Sequence, residues 1–148
     1  MANNFSATTR QNLALLIFNK TAWTDLAISD AGTTTNFYIM LSTELLDADS
    51  TAVTNEVPVG TYTDYARKAI LRTTGGWTCT AGVVTNTAVV TFDTISAGSP
   101  DLVKAAGITH AASGAGALVA WGPLTTELTI GTRVTPTIQI GGVSLTIL

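Results

Sequence analysis

Apolar and polar positions change their spacing near residue 20. Before that point, four positions of residues 6–19 recur at helical spacing: Thr9, Leu13, Leu16 and Ile17. Ser6 or Thr8 precedes them, and a hydroxyl side chain at this place can accept a hydrogen bond from the first free backbone N–H groups of a helix. The pattern therefore predicts one short amphipathic helix at the start of the chain.

The rest of the chain reads as strands. Residues 36–42 are a continuous apolar run typical of a buried strand, residues 45–60 form a polar and acidic loop, and residues 62–72 alternate as a second strand does. Seven shorter strands are predicted after these, at residues 77–80, 88–92, 103–109, 117–121, 124–130, 134–140 and 143–148.

Glycine and proline separate these short strands. The clearest predicted hairpin turns at Gly141-Gly142, and another turn is expected at Gly122-Pro123. Many short strands with turns between them and no helical period indicate an all-β fold, an antiparallel sandwich or jelly roll with one short N-terminal helix. We expect a single domain over residues 1–148, with the sandwich in residues 36–148.

Charge is scarce, at 11% of residues where a soluble domain carries about a quarter. From Trp77 to Leu148 only five residues are charged: Asp93, Asp101, Lys104, Glu127 and Arg133. The net charge is −3, and the basic cluster Arg67, Lys68 and Arg72 is too small for a nucleic-acid surface. No stretch has the pattern of a signal peptide or a membrane span. We expect a part of an assembly that binds neither nucleic acid nor membrane.

Candidate chemistry is sparse as well. His110 is the only histidine and Cys79 the only cysteine, so the usual nitrogen and sulfur metal sites are not expected, and no nucleophile, base and orienting group can be named together. Glu44, Asp47 and Asp49 could offer oxygen ligands to Ca²⁺, but they lack the spacing of a calcium loop. We expect no catalytic residue, no metal and no cofactor, and hence no enzyme.

Several short motifs follow one another in an order found in a known family. They are a leucine-rich helix at residues 13–18, the strand at 38–43, Glu56-Val57 with Gly60, the run at 65–70, the strand at 86–92, and the block at 108–125. This series resembles small tailed-bacteriophage structural proteins, often labelled tail-fibre or virion proteins, over residues 36–148. The resemblance implies a structural protein on the exterior of the virion.

From the low charge and this resemblance we expect a capsid decoration or cement protein, a symmetric homo-oligomer and specifically a trimer, bound to the phage major capsid protein. Residues 1–25 are a candidate docking arm because they offer more apolar surface than a short helix can hide. The candidate interface residues are Phe5, Leu13, Leu16, Phe18 and Trp23. The alternative is that this helix plugs one end of the sandwich.

Two other functions stay open. One is a tail-associated protein, a fibre or baseplate module that contacts tail proteins, although the chain lacks a stalk repeat. The other is a carbohydrate-binding domain for receptor recognition, in which four aromatic residues would stack on sugar rings: Tyr62, Tyr65, Trp77 and Trp121. Aromatic residues of a sandwich more often lie in its core.

Overall fold

The computed structural model describes residues 6–21, 35–47, 49–52 and 55–146. It contains one helix and nine strands over these residues, and every strand register that it gives is antiparallel. The expected all-β class with one short N-terminal helix is therefore confirmed. The elements are α1 (Ala7–Asn19), β1 (Asn36–Ser42), β2 (Lys68–Leu71), β3 (Trp77–Thr80), β4 (Val83–Asn86), β5 (Val90–Thr91), β6 (Asp101–Thr109), β7 (Leu118–Ile130), β8 (Thr137–Ile138) and β9 (Ser144–Thr146).

Helix α1 begins and ends with capping interactions. The Ser6 hydroxyl accepts a hydrogen bond from the Thr9 N–H at 3.1 Å, as the sequence predicted. Lys20 takes a left-handed conformation with φ 54°, and its N–H donates to the Leu15 carbonyl. Ala14 and Phe18, one turn apart, are the buried residues of the helix. This helix does not have the length required to cross a membrane, and no other helix lies in the described part of the chain.

The chain divides into two compact units. The first consists of Met1–Thr35, Ile70–Val89 and Ile138–Leu148, and the second of Asn36–Ala69 and Val90–Thr137. The single domain expected over residues 1–148 and the sandwich arrangement of its sheets stay predictions.

The first unit contains helix α1 and a three-stranded sheet in the order β3-β4-β9. Trp77 pairs with Asn86 across β3 and β4, and Val83 pairs with Thr146 across β4 and β9. The helix packs on β3 and β4, and its Phe18 ring meets the Trp77 ring edge-on at 5.0 Å between centroids. Both rings are buried. The core of this unit is thus a contact between the helix and the sheet.

The second unit contains β1, β6 and β7 of a four-stranded sheet whose order is β2-β1-β6-β7. Strand β1 is central, and its apolar run explains this, because Ile39, Met40 and Leu41 are fully buried and so need cover on both faces of the strand. Tyr38 pairs with Thr109 and Ser42 with Ala105 across β1 and β6. The predicted strand at residues 36–42 is confirmed with its boundaries.

The strands differ from the predicted pattern in several places. Residues 62–72 contain a strand only at Lys68–Leu71, because the preceding residues turn to bring Tyr65 and Arg67 into a buried hydrogen-bond network. Strand β4 at Val83–Asn86 was not predicted. No turn forms at Gly122-Pro123, because both residues stay in β7 opposite Ala106 and Ala105.

The hairpin predicted at Gly141-Gly142 is also wrong. The turn exists, with Gly141 at φ 71° and the Gly142 N–H donating to the Gln139 carbonyl at 2.9 Å. The strands on its two sides have different partners, however: β8 pairs with β5, and β9 pairs with β4. The buried Asn86 explains the difference, because its backbone carbonyl accepts from the Gly141 N–H and its side-chain oxygen from the Val143 N–H. Asn86 thus separates two strands that would otherwise pair.

Candidate functional site

The structure places three of the five candidate interface residues. Phe5 and Trp23 lie outside the described residues. Leu13 and Leu16 are half-buried on helix α1, whereas Phe18 is 1% exposed and packs against Trp77 within the same unit. Of the three, only the two leucines therefore present surface to another molecule.

Polar contacts fix the helix at both ends of its buried side. The Gln11 amide donates to the Cys79 carbonyl at 2.8 Å and accepts from the Gly82 N–H at 3.1 Å. The guanidinium of Arg72 donates to the Ile17 carbonyl at 2.8 Å. These bonds fix helix α1 against the strands of the first unit.

The most elaborate polar site of the described chain surrounds Arg67 in the second unit. Its side chain is 2% exposed and makes a two-point ion pair with Glu56, with both N–O distances 2.7 Å. The guanidinium also donates to three backbone carbonyls, those of Ala52 at 2.6 Å, Ala111 at 2.8 Å and Gly114 at 2.8 Å. One side chain thus connects two loops that are far apart in sequence.

Tyr65 completes this Arg67 network. Its hydroxyl accepts from the Leu41 N–H at 2.9 Å and lies 3.3 Å from the Glu56 carboxylate, to which it can donate. Burial, followed by the nearby Glu56 charge, raises the pKa of Tyr65. The hydrogen bonds and charge of Glu56 raise the pKa of Arg67 above its ordinary value. Both side chains keep the protonation state that the hydrogen bonds need.

The network supports an exposed loop of small residues, 110–117. Besides the two bonds from Arg67, the Gly116 carbonyl of this loop accepts from the Ala52 N–H at 3.0 Å. His110 is exposed at the start of the loop. Sequence reasoning missed the network; the available signal was a carboxylate and a guanidinium, Glu56 and Arg67, in a chain with very little charge.

The aromatic set considered for sugar binding does not form a surface. Tyr62, Tyr65 and Trp77 are 4%, 2% and 1% exposed. Tyr65 stacks on Phe92 at 6.1 Å between ring centroids, as core aromatic residues do. Trp121 is 41% exposed, and is the one member of the set that a ligand could reach.

The remaining candidates for chemistry have local structural roles. Asp47 accepts hydrogen bonds from the Asp49 N–H and the Ser50 hydroxyl and so closes a turn, and no group of three metal-ligating side chains occurs among the described residues. Cys79 is half-buried, and burial raises the pKa of its thiol to about 11. At neutral pH this thiol is uncharged and a poor nucleophile.

Comparison with known proteins gives the family of the chain, which the geometry alone does not. The family model described as Podophage GP4 fiber I protein gp80 matches residues 4–146, nearly the whole chain. The chain belongs to this phage fibre protein family. No curated protein matches it.

Membership of this family identifies the protein as a structural component of a phage virion. The resemblance seen in the order of short motifs is confirmed, and it extends to the N-terminal helix, since the match begins before α1.

Proposed function

We propose that this protein is a fibre component attached to the phage tail, on the outside of the particle, and that it acts by binding other proteins. The family match over residues 4–146 carries the proposal, because the matching family is described as a fibre protein. The role is structural rather than catalytic. In support, the side chains of the Arg67 network, Arg67, Glu56 and Tyr65, have partners within the chain and are largely buried from substrates.

The structure favours binding through uncharged surface. Two further ion pairs lie at the surface, Lys68 with Asp93 at 2.7 Å and Lys104 with Glu44 at 2.8 Å. A surface with little free charge has a small desolvation cost when it packs against another protein. The partners proposed are tail proteins and further copies of this chain in a symmetric homo-oligomer, and no nucleic acid or membrane.

Helix α1 is the proposed attachment surface. Its anchored backbone presents Leu13 and Leu16, both half-buried within the free chain. Half-buried leucines still expose apolar area, and burying it at about 25 cal/mol per Å² would contribute to docking. Deleting the whole helix would be a poor test, because it would uncover Trp77 in the core of the first unit.

A paired substitution tests the attachment surface without removing the helix. Replacing Leu13 and Leu16 with Gln keeps good helix formers, so the domain should fold while binding to fibreless particles falls at least tenfold. The matched control is Leu45→Gln, since Leu45 is 64% exposed and lies in a loop of the second unit. Unchanged binding of the folded double variant would reject α1 as the attachment surface.

Copy number tests the location. The decoration protein expected from the sequence would be present in hundreds of copies, close to the number of the major shell protein, whereas a tail fibre component is present in a few to a few tens. Quantitative mass spectrometry of purified particles measures this ratio. A ratio near that of the shell protein would overturn the tail proposal and support decoration of the head.

A further inference from the structure

Arg10 lies in the same row of helix α1 as the two leucines of the proposed attachment surface. It precedes Leu13 by three positions, and Leu13 precedes Leu16 by three, so the three side chains follow one another along the helix. The buried residues of the helix, Ala14 and Phe18, are not in this row. The attachment surface therefore contains one positive charge next to its apolar side chains.

The guanidinium of Arg10 has no ionic partner in the described part of the chain. Its neighbours one helical turn away are Ser, Ala and Leu residues, which carry no charge, and the described residues of the first unit include no Asp or Glu. Other cations of the chain differ in this respect, since Arg67, Lys68 and Lys104 each pair with a carboxylate. The charge of Arg10 is thus available to another molecule.

Part of this charged group is buried. The Nε atom of Arg10 is inaccessible to water and has no hydrogen-bond partner, although the side chain as a whole is only half-buried. Most buried polar side-chain atoms of proteins do have a partner, so this one is unusual. Because the positive charge is delocalised over the guanidinium, a carboxylate against its accessible nitrogens would compensate for the water that Nε has lost.

We propose that helix α1 binds an acidic surface of another protein of the particle, with a carboxylate that pairs with Arg10 next to apolar side chains that cover Leu13 and Leu16. Charge complementarity selects this occupant. A partner that covered Leu13 without supplying a carboxylate would leave the neighbouring guanidinium desolvated and unpaired. The inference rests on the attachment surface proposed above and adds the chemistry of the partner that this surface accepts.

Carbodiimide cross-linking tests this chemistry, because the reagent joins an amine directly to a carboxylate. Arginine does not react, so Arg10→Lys supplies the amine. When the full chain with this substitution is bound to fibreless particles, residue 10 should form an amide with an Asp or Glu of a particle protein, identified by mass spectrometry of the joined peptides. The matched control is Arg133→Lys, because Arg133 is an exposed residue of the second unit without an ion pair among the described residues; it should form no such link.

Charge reversal measures the contribution of the pair to binding. Arg10→Glu should weaken binding to fibreless particles at least about tenfold, because it places two carboxylates together, and Arg10→Lys should weaken it less. Arg133→Glu should leave binding unchanged. Circular dichroism establishes that each variant is folded.

Three results would overturn the proposal: a folded Arg10→Glu chain that binds as tightly as the wild type, a cross-link of residue 10 to Asp25 or Asp30 of its own chain, or a cross-link of residue 10 to another copy of the chain. Failure of the attachment surface itself is distinguishable, because binding would then also be unchanged in the double variant of Leu13 and Leu16. If that double variant binds weakly while Arg10→Glu binds normally, only the acidic partner is rejected.

Discussion

Replacing Arg67 with Met should destabilise the protein more than any change at an exposed charge. The substitution keeps an unbranched apolar stem and removes all the donors of the side chain. Glu56, with a side chain 13% exposed, is then left as a buried carboxylate without its ion-pair partner, and the carbonyl of the fully buried Ala52 loses a 2.6 Å bond. The carbonyls of Ala111 and Gly114 belong to a half-buried and an exposed residue, so water replaces the guanidinium there.

The expected loss in free energy of unfolding comes from the two groups that water does not reach well, the Glu56 carboxylate and the Ala52 carbonyl. Breaking a buried ion pair by removing one partner costs about 3–5 kcal/mol. The carbonyls of Ala111 and Gly114 add little, because water can hydrogen-bond to them. The neighbouring Lys68→Met is the matched control, because the Lys68–Asp93 pair has side chains 26% and 58% exposed and should contribute less than about 1 kcal/mol. Urea unfolding followed by circular dichroism measures both free energies of unfolding.

The double variant separates charge pairing from packing. If Glu56→Gln is combined with Arg67→Met, the buried charge is gone, and the loss should be smaller than the sum of the two single losses. Hydrogen exchange should also quicken in the loop 110–117, because Arg67 holds two of its carbonyls. A loss for Arg67→Met as small as that for Lys68→Met would refute the argument that this network holds the second unit together.

The other predictions concern the first unit. Asn86→Ala should lower the free energy of unfolding in urea by about 3 kcal/mol, because the side chain is 1% exposed and makes hydrogen bonds of 2.8, 2.9 and 2.9 Å. Gln139→Ala is the control: it keeps the backbone carbonyl to which Asn86 donates and should cost less than about 0.5 kcal/mol. Gly76→Ala should prevent stable folding because its Cβ would overlap a backbone carbonyl oxygen, and Gly75→Ala, with only an ordinary contact at 3.6 Å, should fold at nearly wild-type stability. Cys79 should react with a thiol reagent at pH 8 at least about tenfold more slowly in the folded chain than in urea, because burial raises its pKa to about 11; equal rates would contradict the burial.

Local patterns predicted those elements whose own residues determine them. The helix at residues 6–19 has its cap and spacing within one stretch, and the strand at 36–42 is apolar throughout because it is central. The hairpin at Gly141-Gly142 failed for the opposite reason. Its local signals do require a turn, but the partner of each strand depends on Asn86, more than fifty residues earlier in the chain.

The candidate site could be predicted from the sequence only in part. The helix leucines were found because apolar spacing reveals a helix face, although the spacing does not tell which residue faces the core, and Phe18 proved to be buried. The Arg67 network could not be derived, because three of its acceptors are backbone carbonyls, which every residue carries and no sequence pattern marks.

The Arg67 network accounts for part of the low surface charge. The chain has seventeen acidic and basic residues, seven basic and ten acidic. Because Arg67 and Glu56 are largely buried, still fewer charges lie on the surface. A surface with few charges has a small desolvation cost when it packs against another protein, so the burial of this ion pair fits a chain that acts by binding other proteins.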